Sequence, residues 1–143
     1  MKTLQQVLQN KKHKEIISIA PNRPVFDALV ILAEYKIGAL AVMDGAQLVG
    51  IFSERDYARE VVLLGRSSKT THVSEVMTAK VITGNPHDLV ESTLSLMSDK
   101  RIRHLPVVEN NQVIGMLSVG DLVKETIAYQ QRLIAQLEQY IKG

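Results

Sequence analysis

The chain has 143 residues, 45% apolar and 22% charged, a globular balance that excludes disordered and fibrous classes and lets folding bury roughly 68–70% of the accessible surface. It contains no cysteine, so disulfide frameworks, thiolate zinc sites, iron–sulfur clusters and cysteine nucleophiles are excluded together, and a reducing compartment is permitted. Lys plus Arg is 17 and Asp plus Glu is 15, a net charge of +2; anionic small molecules suit this surplus, whereas nucleic acid needs a local basic patch that the total does not supply. The longest unbroken apolar stretch, Ala28 to Ala33, stops at Glu34, far short of the 18 or so residues that a membrane span needs. No apolar run of signal-peptide length follows Met1-Lys2-Thr3-Leu4-Gln5-Gln6, so the expected location is cytoplasmic.

In chain order, Ile16-Ile17-Ser18-Ile19 is β-branched and predicts a short first strand. Val25, Ala28, Leu29, Leu32 and Ala33 recur at helical spacing and predict an amphipathic helix. A hairpin follows, with Leu40 to Met43, a turn at Asp44-Gly45, and Leu48 to Phe52; a second helix begins at Ser53. The polar, breaker-rich stretch Gly65 to Thr71 reads as a connecting loop. The same grammar then recurs: a first strand at Val81-Ile82-Thr83, a helix carrying Val90, Leu94 and Met97, and strands Leu105 to Val108 and Val113 to Leu117 around a turn at Asn110-Asn111, where Asn tolerates positive φ. A last helix starts at Ser118, and Leu122, Ile127, Leu133, Ile134, Leu137, Tyr140 and Ile141 form an apolar stripe along it. That stripe either covers its own module or meets a second chain.

The recurrence is a true internal repeat. Shifted by 65 residues, Pro21 to Asp56 aligns without a gap on Pro86 to Asp121, with identity at ten of 36 positions, where ordinary residue usage gives roughly two or three. The identical pairs include Val25/Val90, Leu40/Leu105, Val42/Val107, Gly50/Gly115, Ser53/Ser118 and Asp56/Asp121. The fold class expected is α/β, with two β-α-β-β-α copies packed through their sheets in one pseudo-two-fold module, since one copy alone cannot cover a three-stranded sheet. The expected partition is residues 1–68 for the first copy, 69–127 for the second, and 128–143 for a helical extension.

Gly50-Ile51-Phe52-Ser53-Glu54-Arg55-Asp56 and Gly115-Met116-Leu117-Ser118-Val119-Gly120-Asp121 join the last strand of each copy to its last helix. Ser-x-x-Asp before a helix is a capping box. The same turn suits a nucleotide, because a carboxylate accepts hydrogen bonds from a vicinal diol and a helix N-terminus favours phosphate.

This duplicated turn resembles that of a tandem pair of CBS domains, the Bateman module, as do Leu105-Pro106-Val107-Val108 and Val73-Ser74-Glu75-Val76-Met77-Thr78. The similarity runs from about Val7 to Ile127. It implies two clefts between the repeats that take an adenosyl effector (AMP, ADP, ATP, NAD or S-adenosylmethionine) and no metal. Carried over by position, Asp56 and Asp121 would hold ribose hydroxyls, and Ser53, Ser118 and Arg55 would lie beside ribose or phosphate. The main chain of Ile17-Ser18-Ile19 and Val81-Ile82-Thr83, together with Pro106, would meet adenine. The resemblance also implies a homodimer acting on another protein, since no catalytic or output segment is evident in the chain.

The copies differ. Lys100-Arg101-Ile102-Arg103-His104 aligns with Tyr35-Lys36-Ile37-Gly38-Ala39. Arg101, Arg103 and His104 thus read either as a solvated basic helix end or as a phosphate clamp, since guanidinium binds phosphate bidentately. Lys11-Lys12-His13-Lys14 is a further cationic run that suits such an anion. An enzymatic reading would use His104, Ser118 and Asp121 as a triad, but the repeated cap explains the last two and the first copy has no such histidine. His13, His72, His87 and His104 lack metal-ligand spacing, and no dinucleotide or P-loop motif is present. A nucleic-acid binder is opposed by the 4% aromatic content, a poor stacking surface. A protein-interaction module with vestigial clefts is the alternative to a ligand sensor.

Overall fold

The computed structural model describes residues 1–11 and 15–143 of the chain; Lys12, His13 and Lys14 of the basic run lie outside the described residues. Helix α1 spans Leu4–Gln9 and is fixed by a capping box in which Thr3 and Gln6 exchange hydrogen bonds of 2.9 and 3.3 Å. Strand β1 (Ser18–Ile19), helix α2 (Val25–Tyr35) and strands β2 (Ala39–Asp44) and β3 (Gln47–Ser53) follow. Helix α3 (Glu54–Tyr57) continues into a π-helical segment, Ala58–Val62. Helix α4 (Val73–Val76) precedes the second copy, which holds α5 (Val90–Lys100), β4 (His104–Glu109), β5 (Gln112–Ser118) and the 24-residue α6 (Val119–Lys142).

Two compact units result. One comprises residues 15–82 and 110–113; the other comprises residues 83–109 and 114–143 together with the N-terminal segment through Lys11. In the first unit β1 pairs parallel to β2, and β2 pairs antiparallel to β3 from Ala39↔Ser53 to Asp44↔Gln47. The tight turn is therefore Gly45-Ala46, one residue later than the sequence suggested, with Gly45 at φ +61° supplying the left-handed position. The core joins Val25, Ala28 and Leu32 of α2 to Leu40, Val42 and Phe52 of the sheet, with Val73 and Val76 of α4.

The second unit buries the same repeat positions. Val90, Met97, Leu105, Val107 and Leu117 are buried as are Val25, Leu32, Leu40, Val42 and Phe52 one repeat earlier, so each of these five positions stays apolar in both copies. Asn110 and Asn111 both take positive φ, +52° and +63°, so the predicted Asn-Asn turn forms as a two-residue loop. Helices α2 and α5 both end on a left-handed residue, Lys36 and Arg101, each at φ +54°.

The predicted first strand of the second copy does not form over Val81-Ile82-Thr83. Its pairing shrinks to a single parallel bridge, Gly84↔Val107, with Gly84 N donating to Pro106 O and Val108 N to Gly84 O, both at 2.9 Å. In the first copy the ladder has one more step, Ser18↔Ala41. Pro106 stands where Ala41 does and has no N–H to give, so the ladder cannot extend beyond Gly84.

Helix α1 was not anticipated, and it joins the second copy rather than the first. Leu4 is fully buried, and Leu4 N and Gln5 N donate to Asp88 O and Pro86 O at 2.9 and 3.0 Å. Helix α4 has the matching role in the first unit, where Val73 N donates to Arg23 O at 2.9 Å and Ser74 N to Pro21 O at 2.9 Å. The bridges Thr3↔Leu89 and Pro24↔His72 mark the same exchange.

Candidate functional site: two capped helix N-termini

Each Ser-x-x-Asp turn sits where an edge of hairpin becomes a helix. In the first unit Asp56 Oδ2 accepts from Ser53 N at 2.9 Å and from Ser53 Oγ at 3.0 Å, while Asp56 N donates back to Ser53 Oγ at 3.2 Å. Thr78 Oγ1 donates to Asp56 Oδ1 at 3.1 Å. Thr78 is brought there by two backbone bonds with Ile51, of 2.8 and 2.9 Å. Gly50 makes the approach possible: a Cβ there would stand 2.5 Å from Met77 Sδ and 3.0 Å from Thr78 O.

The second unit repeats the plan with different chemistry. Asp121 Oδ2 accepts from Ser118 N at 2.8 Å, and Asp121 N donates to Ser118 Oγ at 3.1 Å. In place of a threonine hydroxyl, Lys11 Nζ lies 3.1 Å from Asp121 Oδ2 and donates to Met116 O at 2.8 Å. Met116 is the counterpart of Ile51. Leu8 covers Gly115 as Met77 covers Gly50, with Leu8 Cδ2 2.5 Å from a hypothetical Gly115 Cβ.

Burial pushes the Asp121 carboxyl up, but the Ser118 N–H, the Lys11 ammonium and the Ser118 hydroxyl outweigh it, and the group is held below its ordinary value. A depressed folded pKa contributes stability that is fully present above the unfolded carboxylate value of about 3.9 and is lost as pH falls through the lower folded value. Lys11→Met removes the cation, so its acid unfolding midpoint is expected at higher pH than that of the parent chain. Acid titration followed by circular dichroism checks this, and coincident midpoints would show that the ion pair contributes nothing.

The arginines are distributed reciprocally. Val119 N, the first N–H of α6, donates to Arg103 O at 2.9 Å, and Glu54 N donates to Gly38 O at 3.1 Å in the equivalent place. Thus the residue just before the first hairpin strand is Arg103 in the second unit and Gly38 in the first, whereas the turn itself carries Arg55 in the first unit and Gly120 in the second. Each turn therefore has one arginine close by in the chain, Arg55 inside the first turn and Arg103 joined by its backbone carbonyl to the second. Arg55, Arg101 and Arg103 are exposed; His104 opens β4, is half-buried and is engaged by a partner. Arg101 has in addition a backbone role as the left-handed end of α5.

Of the residues expected near adenine, Ile17 is half-buried, Ser18 is exposed, and the side chain of Ile19 points into the first unit's core. Val81 and Ile82 are half-buried, Thr83 is exposed and Pro106 is buried in β4. By unit, Ile17, Ser18, Ile19, Ser53, Arg55, Asp56, Val81 and Ile82 belong to the first, and Thr83, Arg101, Arg103, His104, Pro106, Ser118 and Asp121 to the second. Sequence reading assigned no role to Thr78 and gave Lys11 only a general one. The segments that carry them are related at an offset of 69, not 65, which lays Leu4 on Val73 and Leu8 on Met77 but Lys11 on Lys80 and Gln9 on Thr78, so no repeat spacing points to either residue. Among the described residues no group of His, Asp and Glu is arranged to hold a metal ion, and no helix is long and apolar enough to cross a membrane.

Comparison with known proteins identifies the family and its fold. The CBS domain family matches residues 12–63 and 73–127. The chain belongs to the CBS-domain family and carries two such domains in tandem. It is 46% identical to a protein with CBS domains from Burkholderia ambifaria MC40-6 whose structure superposes with a TM-score of 0.86, over 89% of this chain and 95% of that one. It is 32% identical to the CBS domain-containing protein YhcV of Bacillus subtilis over 76% of each chain. It is also 40% identical to a mitochondrial CBS domain-containing protein of Arabidopsis thaliana, CBSX3, over 83% of this chain; the match spans 60% of that relative. The CBS domain pair of protein MJ0100, 26% identical with a TM-score of 0.77 over 90% of this chain and 98% of that one, was solved in complex with 5′-methylthioadenosine and S-adenosyl-L-methionine. A CBS pair is a regulatory module rather than a catalytic one, and the triad reading of His104, Ser118 and Asp121 is set aside.

Proposed function

We propose that the chain is a sensor of an adenosyl nucleotide, AMP, ADP, ATP or NAD, which binds at its Ser-x-x-Asp turns and changes dimer geometry or affinity for a regulated protein. The observation that carries this is the pair of half-buried carboxylates, Asp56 and Asp121, each held at a helix N-terminus. A carboxylate so placed accepts hydrogen bonds from ribose hydroxyls, while the positive end of the helix dipole favours phosphate. The MJ0100 complex supports the adenosyl class. The arginine beside each turn favours ligands that carry phosphate over neutral adenosines.

A sensor must bind its ligand differently in two states, or nothing is signalled. The contacts that a ligand has to share with Asp121 and Asp56 are those made by Lys11 and Thr78. These residues lie on the segments that follow α1 and α4, so rearranging them is the route by which occupancy reaches the rest of each unit.

The test is calorimetric titration of AMP and adenosine into the parent chain and Arg103→Ala. Arg103→Ala is expected to weaken AMP by about tenfold or more, the loss of a charge-assisted hydrogen bond, and to leave adenosine nearly unchanged. Equal losses for both ligands would remove the phosphate clamp, and no binding of AMP by the parent chain would remove AMP as the effector.

A further inference from the structure

Lys11 and Thr78 stand against equivalent carboxylates, but they are held in place differently. Thr78 is fixed through its backbone, by the two bonds with Ile51, and offers Asp56 Oδ1 a neutral hydroxyl at 3.1 Å. The backbone N–H of Lys11 instead turns back to Leu8 O at 3.2 Å, and it is the ammonium that reaches the second repeat, at Asp121 Oδ2 and Met116 O. The start of the same segment is anchored independently. Leu4 is buried, Leu4 N and Gln5 N are bonded to Asp88 O and Pro86 O, and Lys2 Nζ lies 3.5 Å from Glu125 Oε2, one turn along α6 from Asp121. Beyond Leu8, among the described residues, the Lys11 ammonium is what fastens the segment to its unit.

A ligand whose ribose takes Asp121 meets that ammonium directly. Asp121 Oδ2 accepts from Ser118 N at 2.8 Å as well as facing Lys11. The Ser118 N–H is fixed by the helix cap, whereas the ammonium sits on a flexible four-carbon stem, so Lys11 is the group that yields. Both side chains of the pair are 28% exposed, which leaves the ammonium a path outward. A neutral adenosine offers the displaced ammonium no new partner. The phosphate of a nucleotide seated on the same carboxylate does: it carries a charge of about −1.5 to −2 at neutral pH, more than the carboxylate that Lys11 leaves, and it lies within the screening length of about 8–10 Å.

We propose that Lys11 is a selectivity residue of the second turn, displaced from Asp121 by neutral adenosyl ligands and transferred to the phosphate of anionic ones, so that ligand charge decides whether the end of the N-terminal segment stays fastened. The first turn has no such device, because a hydroxyl held by its own backbone neither carries charge nor follows a ligand. The proposal rests on the reading of Asp121 as a ribose acceptor and adds to it the residue that sorts the ligands and the segment that responds.

Two measurements test it. In calorimetric titrations Lys11→Met is expected to bind 5′-methylthioadenosine about two- to fivefold more tightly than the parent chain, the size of a partly solvated ion pair, and to bind AMP more weakly, so the preference for AMP falls. A merely structural role for Lys11 shifts both ligands alike. The second measurement uses the lack of cysteine in the chain: a nitroxide attached at Gln9→Cys, an exposed position of α1, is the sole label and reports the mobility of the segment. Lys11→Met and Asp121→Asn are each expected to loosen it without ligand, circular dichroism verifying that the fold is kept. In the otherwise unchanged chain 5′-methylthioadenosine is expected to loosen it and AMP to leave it as it was. Binding with an unchanged preference, or a label equally mobile in all three chains, would overturn the proposal and leave the ribose reading standing. Binding of neither ligand would remove that reading of the second turn for both, and the proposal with it.

Discussion

Asp121→Asn is expected to bind the adenosyl effector of the second unit roughly ten- to 150-fold more weakly, corresponding to about 1.5–3 kcal/mol for hydrogen bonds to a charged group. Asn retains an oxygen that can accept from Ser118 N, and its backbone N–H still donates to Ser118 Oγ, so the capping box is kept and ligand binding is separated from helix capping. The charge is what disappears, and with it the counter-ion of Lys11. Stability at neutral pH is expected to fall by far less than affinity, because the pair is partly solvated and such pairs contribute about 0–1 kcal/mol. The same change at Asp56 is expected to affect only the first unit's site, since Thr78 rather than a lysine stands against that carboxylate. Titration of each variant checks both statements, and unchanged affinity in both would mean that the carboxylates serve capping alone.

Leu4→Ala is expected to destabilise the chain by about 2–5 kcal/mol, the range for emptying a filled apolar site. Leu4 is fully buried although it is the fourth residue of the chain. Its Cδ1 lies 2.9 Å from where a Gly84 Cβ would be, and Leu105 Cδ2 lies 2.7 Å from the same point. The loss therefore falls on the second copy. Amide exchange is expected to accelerate in β4 and β5 while β2 and β3 keep their protection. The opposite pattern, with loss confined to β2 and β3, would mean that the N-terminal segment supports the repeat next to it in sequence rather than the distant one.

The repeat was legible because both copies bury the same positions. Val25 and Val90, Leu40 and Leu105, and Val42 and Val107 are all fully buried, and an alternating or helical period survives in each. The capping boxes were legible for the same reason that they form: Ser and Asp three residues apart satisfy one another through local bonds alone. Three features were not visible in that way. Helix α1 is only six residues long and stays folded through contacts with residues some 80 positions away, which no local period records. The missing strand at Val81 to Thr83 was hidden by β-branched composition, although Pro106 carried the contrary signal. The Lys11–Asp121 pair joins residues 110 positions apart, and a basic run shows nothing of which carboxylate one of its members will meet.

The most direct test of the sensor is thermal unfolding of the chain with AMP, ADP, ATP, NAD, S-adenosylmethionine or 5′-methylthioadenosine, with Asp121→Asn and Asp56→Asn alongside. A ligand at 100 times its dissociation constant stabilises the folded state by about 2.7 kcal/mol, a rise of several degrees for a chain of this size. A rise with at least one adenosyl ligand, reduced in one or both variants, is the expected result. No rise with any of them would contradict the sensor and leave the two turns as structural caps in a protein-interaction module.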